Sequence, residues 1–256
     1  METVCKRAGA VTSVAFSPDG ACIASASEES AHGSNPLISI WELQTGEMIE
    51  LGECDGRSTQ IAYSPGGHNL AAASSETENG LRIWNLLTGH TRTFKSDACG
   101  FSSISFSPVM KSVVVGENSL NRAALQLYDL DADQSRILGH CDRRITAVAF
   151  SPDGKQIAFG GWDETVRLWN VQAGKMSVLG KNCSRVNCVA FSRKGDHLAV
   201  CSLDGRIRVW NMHTTKSRTI GECYGIRSVT LSVDGRSVIA GCTDGTVRQW
   251  RFPALL

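Results

Sequence analysis

Cysteine can form disulfides, and cysteine and histidine together can hold a metal ion. The chain has ten cysteines and six histidines. Zinc and thiol-redox sites often pair two cysteines as Cys-x-x-Cys, a spacing that does not occur in this sequence. The closest two, Cys183 and Cys188, fit no zinc pattern, and the histidines are scattered. The first residues, METVCKRAGAV, lack the apolar core of a secretion signal. We therefore expect reduced thiols in the core and loops, and no metal site.

Motifs that would mark an enzyme are missing from the sequence. A phosphate-binding loop needs Gly-x-x-x-x-Gly-Lys-Ser/Thr, and the segment AGKMS (173–177) has no glycine five residues before Gly174. Neither the zinc motif His-Glu-x-x-His nor the nucleophile motif Gly-x-Ser-x-Gly occurs. The sequence thus predicts no catalytic residue, no cofactor and no small-molecule substrate.

The charge balance argues against two classes of partner. The chain has 26 Lys and Arg against 25 Asp and Glu, a net charge of +1. Proteins that bind nucleic acids or membrane surfaces usually carry a basic excess. No apolar run approaches the roughly 18 residues of a membrane span. We expect neither a nucleic acid nor a membrane as partner.

The elements that must position any binding site come from a sixfold repeat. Each copy begins with an apolar, β-branched run that ends in a turn, as in VTSVAFSPDG (11–20) and ITAVAFSPDG (145–154). Each copy later ends another such run at a large aromatic residue, and these aromatics follow one another at intervals of 40 to 44 residues. They are Trp41, Trp84, Tyr128, Trp169, Trp210 and Trp250.

Each copy is predicted to form four β-strands. The first run is short and β-branched, which is typical of a buried strand. In the SPDG turn, proline presets φ at the second position and glycine tolerates a positive φ at the end. A second strand and a third, which ends at the aromatic, follow, and a short fourth strand such as KMSVLG (175–180) completes the copy.

Six such units are predicted to form a β-propeller. A four-stranded sheet with two apolar faces must be covered on both, and radial stacking does this without a long exposed edge. A period of about 40–45 residues with four strands is typical of propeller blades. The chain resembles the WD40-repeat β-propeller family over nearly its whole length, on DETVRLWN (163–170), DGRIRVWN (204–211) and DGTVRQW (244–250). The expected fold is all-β with six four-stranded blades, and the resemblance implies that the six aromatics are wedges between blades.

The resemblance also implies a buried tetrad of histidine, Ser/Thr, the turn aspartate and the tryptophan, from which the copies depart. The fourth copy has His140 but Phe159 at the hydroxyl position, and the next two copies have Val200 and Ala240 there. We therefore expect the blades to depend mainly on apolar packing and turn chemistry.

One propeller domain over residues 1–256 is predicted. Residues 2–6 are expected to supply the outer strand of the last blade and so close a six-bladed ring. The alternative is an open ring that takes a blade from a partner, as some coat and nuclear-pore members of the family do. The predicted repeats are 11–52, 58–95, 101–139, 145–180, 186–221 and 226–252, the last completed by residues 1–6.

Trp162 is an aromatic residue that the repeat does not require. It directly precedes the turn aspartate Asp163, and the next two copies have Leu203 and Thr243 at this place. Trp169-Asn170, not Trp162-Asp163, corresponds to the Trp-Asp pair of the family. An exposed indole here would suit a contact with a partner. The alternative is that the indole stacks on Arg143 or Arg144 and stabilises the surface without binding anything.

Arginine precedes the first strand in three of the six copies. Arginine and aromatic residues are those that most often anchor protein interfaces. The alternative is that these arginines are solvated and paired with acids such as Asp55 and Asp142. The candidate partner-binding residues are Trp162, Arg57, Arg143, Arg144, Arg185, Leu203 and Tyr224.

The function predicted from the sequence is a non-catalytic scaffold that binds a protein or peptide through the loops of the propeller. Two alternatives stay open: a structural subunit of a coat or complex built by blade sharing, and a sensor or regulatory part of a longer signalling protein or enzyme. We expect an intracellular, cytoplasmic location, with the nucleus as the alternative.

Overall fold

The computed structural model describes residues 10–27, 36–55, 57–75, 77, 79–96, 99–119, 122–181 and 184–252, with the backbone alone at 57–59. No helix occurs in these ranges, and the regular structure consists of antiparallel strands. None of the described segments forms a helix long and apolar enough to cross a membrane.

Two compact units make up the chain, Met1–Phe106 with Glu117–Ser119 and Ser107–Gly116 with Leu120–Leu256. In the first unit, two sheets have the strand orders β1-β2-β3-β4 and β5-β6-β7-β8. The strands of this unit are β1 (Val11–Phe16), β2 (Cys22–Ser27), β3 (Leu37–Glu42), β4 (Met48–Glu53), β5 (Arg57–Tyr63), β6 (Asn69–Ser75), β7 (Leu81–Asn85), β8 (Thr91–Phe94) and β9 (Phe101–Phe106).

The second unit continues the same pattern of meandering strands. Its first strands are β10 (Ser112–Glu117), β11 (Ala123–Asp129) and β12 (Gln134–Cys141), in a sheet of order β12-β11-β10-β9. The next sheet has β13 (Ile145–Phe150), β14 (Gln156–Gly161), β15 (Thr165–Asn170) and β16 (Lys175–Lys181). The last two have β17 (Val186–Phe191), β18 (His197–Ser202), β19 (Arg206–Asn211) and β20 (Ser217–Glu222), and then β21 (Ile226–Leu231), β22 (Ser237–Cys242) and β23 (Val247–Arg251).

There is one sheet for each of the six sequence repeats, which confirms the predicted all-β fold class with six blades. Five sheets have four strands, and the sixth has three among the described residues. The predicted outer strand of the sixth blade, residues 2–6, lies outside the described residues. Closure by this strand and the single-domain assignment over 1–256 therefore stay predictions.

The SPDG turns are held by their own side chains. In the fourth blade, Ser151 Oγ donates to Asp153 Oδ1 at 2.6 Å, and the amide of Lys155 donates to the same oxygen at 3.0 Å. Gly154 follows with a φ of +70°, in the left-handed region that favours glycine. The Ser151 hydroxyl beside Asp153 lowers the pKa of that carboxyl. The turn is thus built to hold an ionised aspartate.

The six repeat aromatics differ in burial. Trp84, Tyr128 and Trp210 are buried, whereas Trp41, Trp169 and Trp250 are half-buried. Trp210 belongs to a cluster with Leu168 of the fourth blade and Leu198 of the fifth, so its indole lies between two blades. A core aromatic in this position excludes water from both neighbouring sheets.

Glycines in the fourth strands give the following blade's indole its room. A β-carbon on Gly180 would clash with Cη2 of Trp210, and one on Gly221 would clash with Nε1 of Trp250. The Leu-Gly and Ile-Gly pairs of these strands therefore match the wedge of the next repeat. These Leu-Gly and Ile-Gly pairs are visible in the sequence, but the positions of the tryptophans alone do not predict that a glycine is needed there.

Only parts of the tetrad implied by the family resemblance occur in the described blades. In the first blade, Trp41 Nε1 donates to Ser25 Oγ at 3.0 Å, the contact of tryptophan with the strand hydroxyl. In the fourth blade Phe159 fills the hydroxyl position, fully buried in the core, and His140 is exposed. A large apolar side chain has replaced the polar network there.

Candidate functional site

The residue before the turn aspartate has the same backbone environment in three consecutive blades. The amide of Trp162 donates to the carbonyl of Arg144 at 2.9 Å, and the amide of Leu203 donates to that of Arg185 at 2.8 Å. Thr243 makes the same bond to Gly225 at 2.9 Å. Each bond fixes the segment before a first strand against the end of the second strand. Trp162 is therefore held by a frame that does not depend on its side chain.

The indole of Trp162 lies against two guanidinium groups. Cζ of Arg185 is 4.1 Å from the ring centroid, and Cζ of Arg144 is 4.7 Å from it. Both distances are in the range of cation–π attraction. Arg144 precedes β13 of the fourth blade and Arg185 precedes β17 of the fifth, so the indole bridges two blades. We call these three side chains the Trp162 surface.

The turn carboxylate next to this surface is already paired. Asp163 Oδ1 accepts from the amide of Thr165 at 3.1 Å, and Oδ2 lies 2.6 Å from Nη1 of Arg167. The side chains of Asp163 and Arg167 are each only 12% exposed. Asp163 is therefore committed to its own blade and does not neutralise the arginines that touch Trp162.

The arginines of the Trp162 surface lack carboxylate partners. Within the described ranges, neither Arg144 nor Arg185 forms a salt bridge. Nε of Arg144 is buried without a hydrogen-bond partner there. Asp55, one of the acids expected to pair with loop arginines, instead accepts from Nδ2 of Asn79 at 2.8 Å. Two positive groups therefore meet an aromatic face rather than an acid.

The other residues predicted for partner binding are placed separately. Arg143, adjacent to Arg144, is exposed. Leu203 is 54% exposed and Tyr224 is 83% exposed, both in the second unit. Arg57 begins β5 in the first unit, and its side chain lies outside the described part of the chain. The structure thus brings Trp162, Arg144 and Arg185 into direct contact.

An arginine two residues before the wedge tryptophan was missed by the sequence analysis. In the sixth blade, Nη2 of Arg248 lies 2.6 Å from Oδ2 of Asp244, as Arg167 pairs with Asp163 in the fourth. The signal is the spacing Asp-x-x-x-Arg-x-Trp, which occurs in DETVRLW (163–169), DGRIRVW (204–210) and DGTVRQW (244–250). In the fourth and sixth blades, this pair gives the turn aspartate a partner within its own blade.

The buried thiol of Cys141 lies close to the Asp163–Arg167 ion pair. Cys141 ends β12 opposite Ala123, and burial raises the pKa of its thiol to about 11, partly offset by the charge of Arg167. The thiol is therefore protonated at neutral pH and packs in the core of the blade. The cysteines that the structure describes are all free.

Comparison with known proteins identifies the family of the chain. Residues 1–251 match the family model described as the IFT122 first β-propeller. No curated protein matched the chain. The match and the six sheets together confirm the resemblance to WD40-type propellers, and membership is consistent with a scaffold role in a complex. The chain therefore belongs to the family of the IFT122 first β-propeller.

Proposed function

We propose that this propeller is a non-catalytic, intracellular scaffold that binds a protein or peptide partner through the Trp162 surface. The observation that supports this most directly is that Arg144 and Arg185, which contact the half-buried indole of Trp162, have no acidic partner in the described ranges. Tryptophan and arginine are the residues most enriched at interface hot spots. The family match supports a scaffold role rather than a particular partner.

The chemistry of the partner follows from the charges around the indole. The Trp162 surface contains two arginines, and Arg143 is next to Arg144 in sequence. The acids nearest in sequence, apart from Asp163, are Asp142 and Glu164, and both are exposed. Because Asp163 is paired with its own arginine, the local balance is positive. A partner segment that places an acidic side chain against these arginines and an apolar one against the indole would match it in charge and in shape.

Loops near the surface could extend the interface. Leu203 has the place of Trp162 in the next blade, and Tyr224 precedes the first strand of the sixth. Both side chains are largely exposed, and an exposed tyrosine offers apolar area with a polar tip. We assign Leu203, Tyr224 and Arg143 to flanking contacts of smaller effect than Trp162. Arg57 belongs to the first unit, and its role in partner binding stays a prediction from the sequence.

The test is affinity capture with the parent chain and with Trp162→Leu, which installs the residue that the fifth blade already carries. Partners that bind the parent and are lost with the variant are then measured by calorimetry. We expect binding to weaken by about 2 kcal/mol or more, roughly a 30-fold rise in Kd. Val233→Ser is the matched control, because it removes another exposed apolar side chain in a different turn.

The charge of the partner is tested separately. Arg185→Gln removes a cation but keeps a long polar side chain, and we expect it to weaken binding and to reduce its dependence on salt. Equal binding by the parent, Trp162→Leu and Arg185→Gln would show that the partner uses another surface.

A further inference from the structure

Two cysteine sulfurs meet in the sixth blade. Cys223 lies just before β21 and Cys242 ends β22, and their Sγ atoms are 2.7 Å apart although the residues are 19 positions apart in sequence. A disulfide bond is about 2.04 Å long, so bond formation needs only a small further approach of the sulfurs. Both thiols are free in this structure.

Backbone hydrogen bonds bring the two thiols together. The amide of Cys223 donates to the carbonyl of Gly205 at 2.7 Å, which fixes the segment before β21. The amide of Thr243, next to Cys242, donates to the carbonyl of Gly225 at 2.9 Å. Ile226 is the register partner of Cys242. The sulfurs therefore face each other because the blade holds both chain segments.

The two thiols differ in access. Cys223 is buried, whereas Cys242 is half-buried and so the more exposed residue of the two. The hydrogen bond with Cys242, and then burial, raise the pKa of the Cys223 thiol. An oxidant therefore meets Cys242 first, with Cys223 behind it as the resolving thiol.

Two further thiols of the second unit are less suited to oxidation. Cys188 and Cys201 are opposite each other in β17 and β18. Sγ of Cys188 donates to the carbonyl of Arg227 at 3.1 Å, and burial raises the pKa of this thiol to about 12. Cys201 is fully buried, and burial also raises its pKa. These two thiols are competitors that any experiment must resolve from the pair.

We propose that Cys223 and Cys242 are a modification site. A low-molecular-weight disulfide such as oxidised glutathione oxidises them, and they form a reversible disulfide with each other. The Cys242 thiolate attacks one sulfur of oxidised glutathione and expels the first glutathione, which leaves a mixed disulfide on Cys242. The Cys223 thiolate then attacks the Cys242 sulfur and expels the second glutathione. Two electrons pass from the protein thiols to the oxidant, and the two thiol protons end on the two glutathione molecules.

The new bond would tie the segment of Tyr224 to the end of β22. It closes a loop that contains β21 and restricts the unfolded chain more than the folded one. We expect the oxidised protein to have a Tm several degrees above that of the reduced protein. In a reducing compartment such a pair forms a disulfide only transiently.

The test uses the native chain in glutathione buffers of increasing oxidised fraction, followed by alkylation and trypsin digestion. Trypsin separates the two cysteines into peptides 219–227 and 237–248, and it places Cys188 and Cys201 in two others. We expect a linked 219–227/237–248 species, an intact mass lower by two hydrogens, and full reversal by dithiothreitol. Cys99→Ser, which removes an exposed thiol, should keep the link, and Cys242→Ser should abolish it.

The parent chain alone decides the proposal if a variant fails to fold. Glutathione adducts without the linked peptide would contradict it, as would a link through Cys188 or Cys201 in its place. A linked peptide that forms only in urea, or an oxidised chain with a lowered Tm, would show that the native blade does not accommodate the bond.

Discussion

The turns that follow β14 and β18 make the same backbone hydrogen bond but have different side chains at the residue before the aspartate. Trp162 and Leu203 both donate from their amides to the residue before a first strand, at 2.9 and 2.8 Å. In the fourth blade this place holds an indole in contact with two guanidinium groups, and in the fifth it holds a leucine that is 54% exposed. The fold therefore fixes the position and leaves the side chain free for another use.

The charges beneath the two turns also differ. Asp163 and Arg167 form a close pair with little exposure, whereas Arg206 Nε is 3.9 Å from Asp204 and 3.3 Å from Glu222. The fourth blade thus keeps its turn carboxylate away from Arg144 and Arg185.

The largest effect should come from removing the core packing between the two blades that carry these turns. Trp210 is buried between the fourth and fifth blades, so Trp210→Ala should cost about 3–5 kcal/mol of unfolding free energy through lost burial and a cavity. Urea denaturation followed by circular dichroism measures the loss. A cost under about 1 kcal/mol would mean that the indole is not a wedge between these blades.

A smaller effect should come from the Asp163–Arg167 ion pair, which is less exposed than its counterpart in the sixth blade. Arg167→Met leaves the carboxylate of Asp163 with little solvent and no cation, and we expect a loss of about 1–3 kcal/mol, the cost of a buried polar group without its partner. Arg248→Met in the sixth blade is the matched control. Its pair with Asp244 has side chains 43% and 45% exposed, so the loss should be about 0–1 kcal/mol. Equal losses for the two variants would remove the distinction between the blades.

A still smaller effect is expected from the turns SPDG (17–20), SPDG (151–154) and SVDG (232–235), which share the serine and the aspartate. Hydrogen bonds from the preceding serine lower the pKa of Asp19, Asp153 and Asp234 from 3.8. A carboxyl whose pKa is lower in the folded chain than in the unfolded chain stabilises the fold at pH values above the unfolded pKa. This stabilisation is lost as the pH falls below about 3.8 and through the folded pKa. Asp153→Asn should therefore lose less stability than the parent between pH 5 and pH 3, measured as urea midpoints. The same slope in both proteins would contradict this role.

The sequence was sufficient for the features that repeat. The period of the aromatics predicted six blades, and the Ser-Pro-Asp-Gly segments predicted turns whose hydrogen bonds the structure shows. Local chemistry accounts for this success, because strand patterning and turn residues act within one copy. The Asp-x-x-x-Arg-x-Trp spacing is also local and could have been found by comparing the last three copies.

Features that depend on how copies pack were not predictable in the same way. The room that Gly180 gives Trp210 and the meeting of Cys223 with Cys242 join residues of different strands or blades. The sequence suggested a stack of Trp162 on Arg143 or Arg144 as one alternative. The orientation that puts both guanidinium groups on one indole depends on packing between the fourth and fifth blades.

The most direct test of the central claim, that Trp162 is surplus to the fold, is the unfolding free energy of Trp162→Leu. Leucine is what the same backbone carries in the fifth blade, and exposed cation–π contacts are worth only about 0.5–1 kcal/mol each. Because Trp162 makes two such contacts, we predict a loss of about 1–2 kcal/mol, smaller than the loss for Trp210→Ala. A loss of about 3 kcal/mol or more, the cost of a core aromatic, would contradict it.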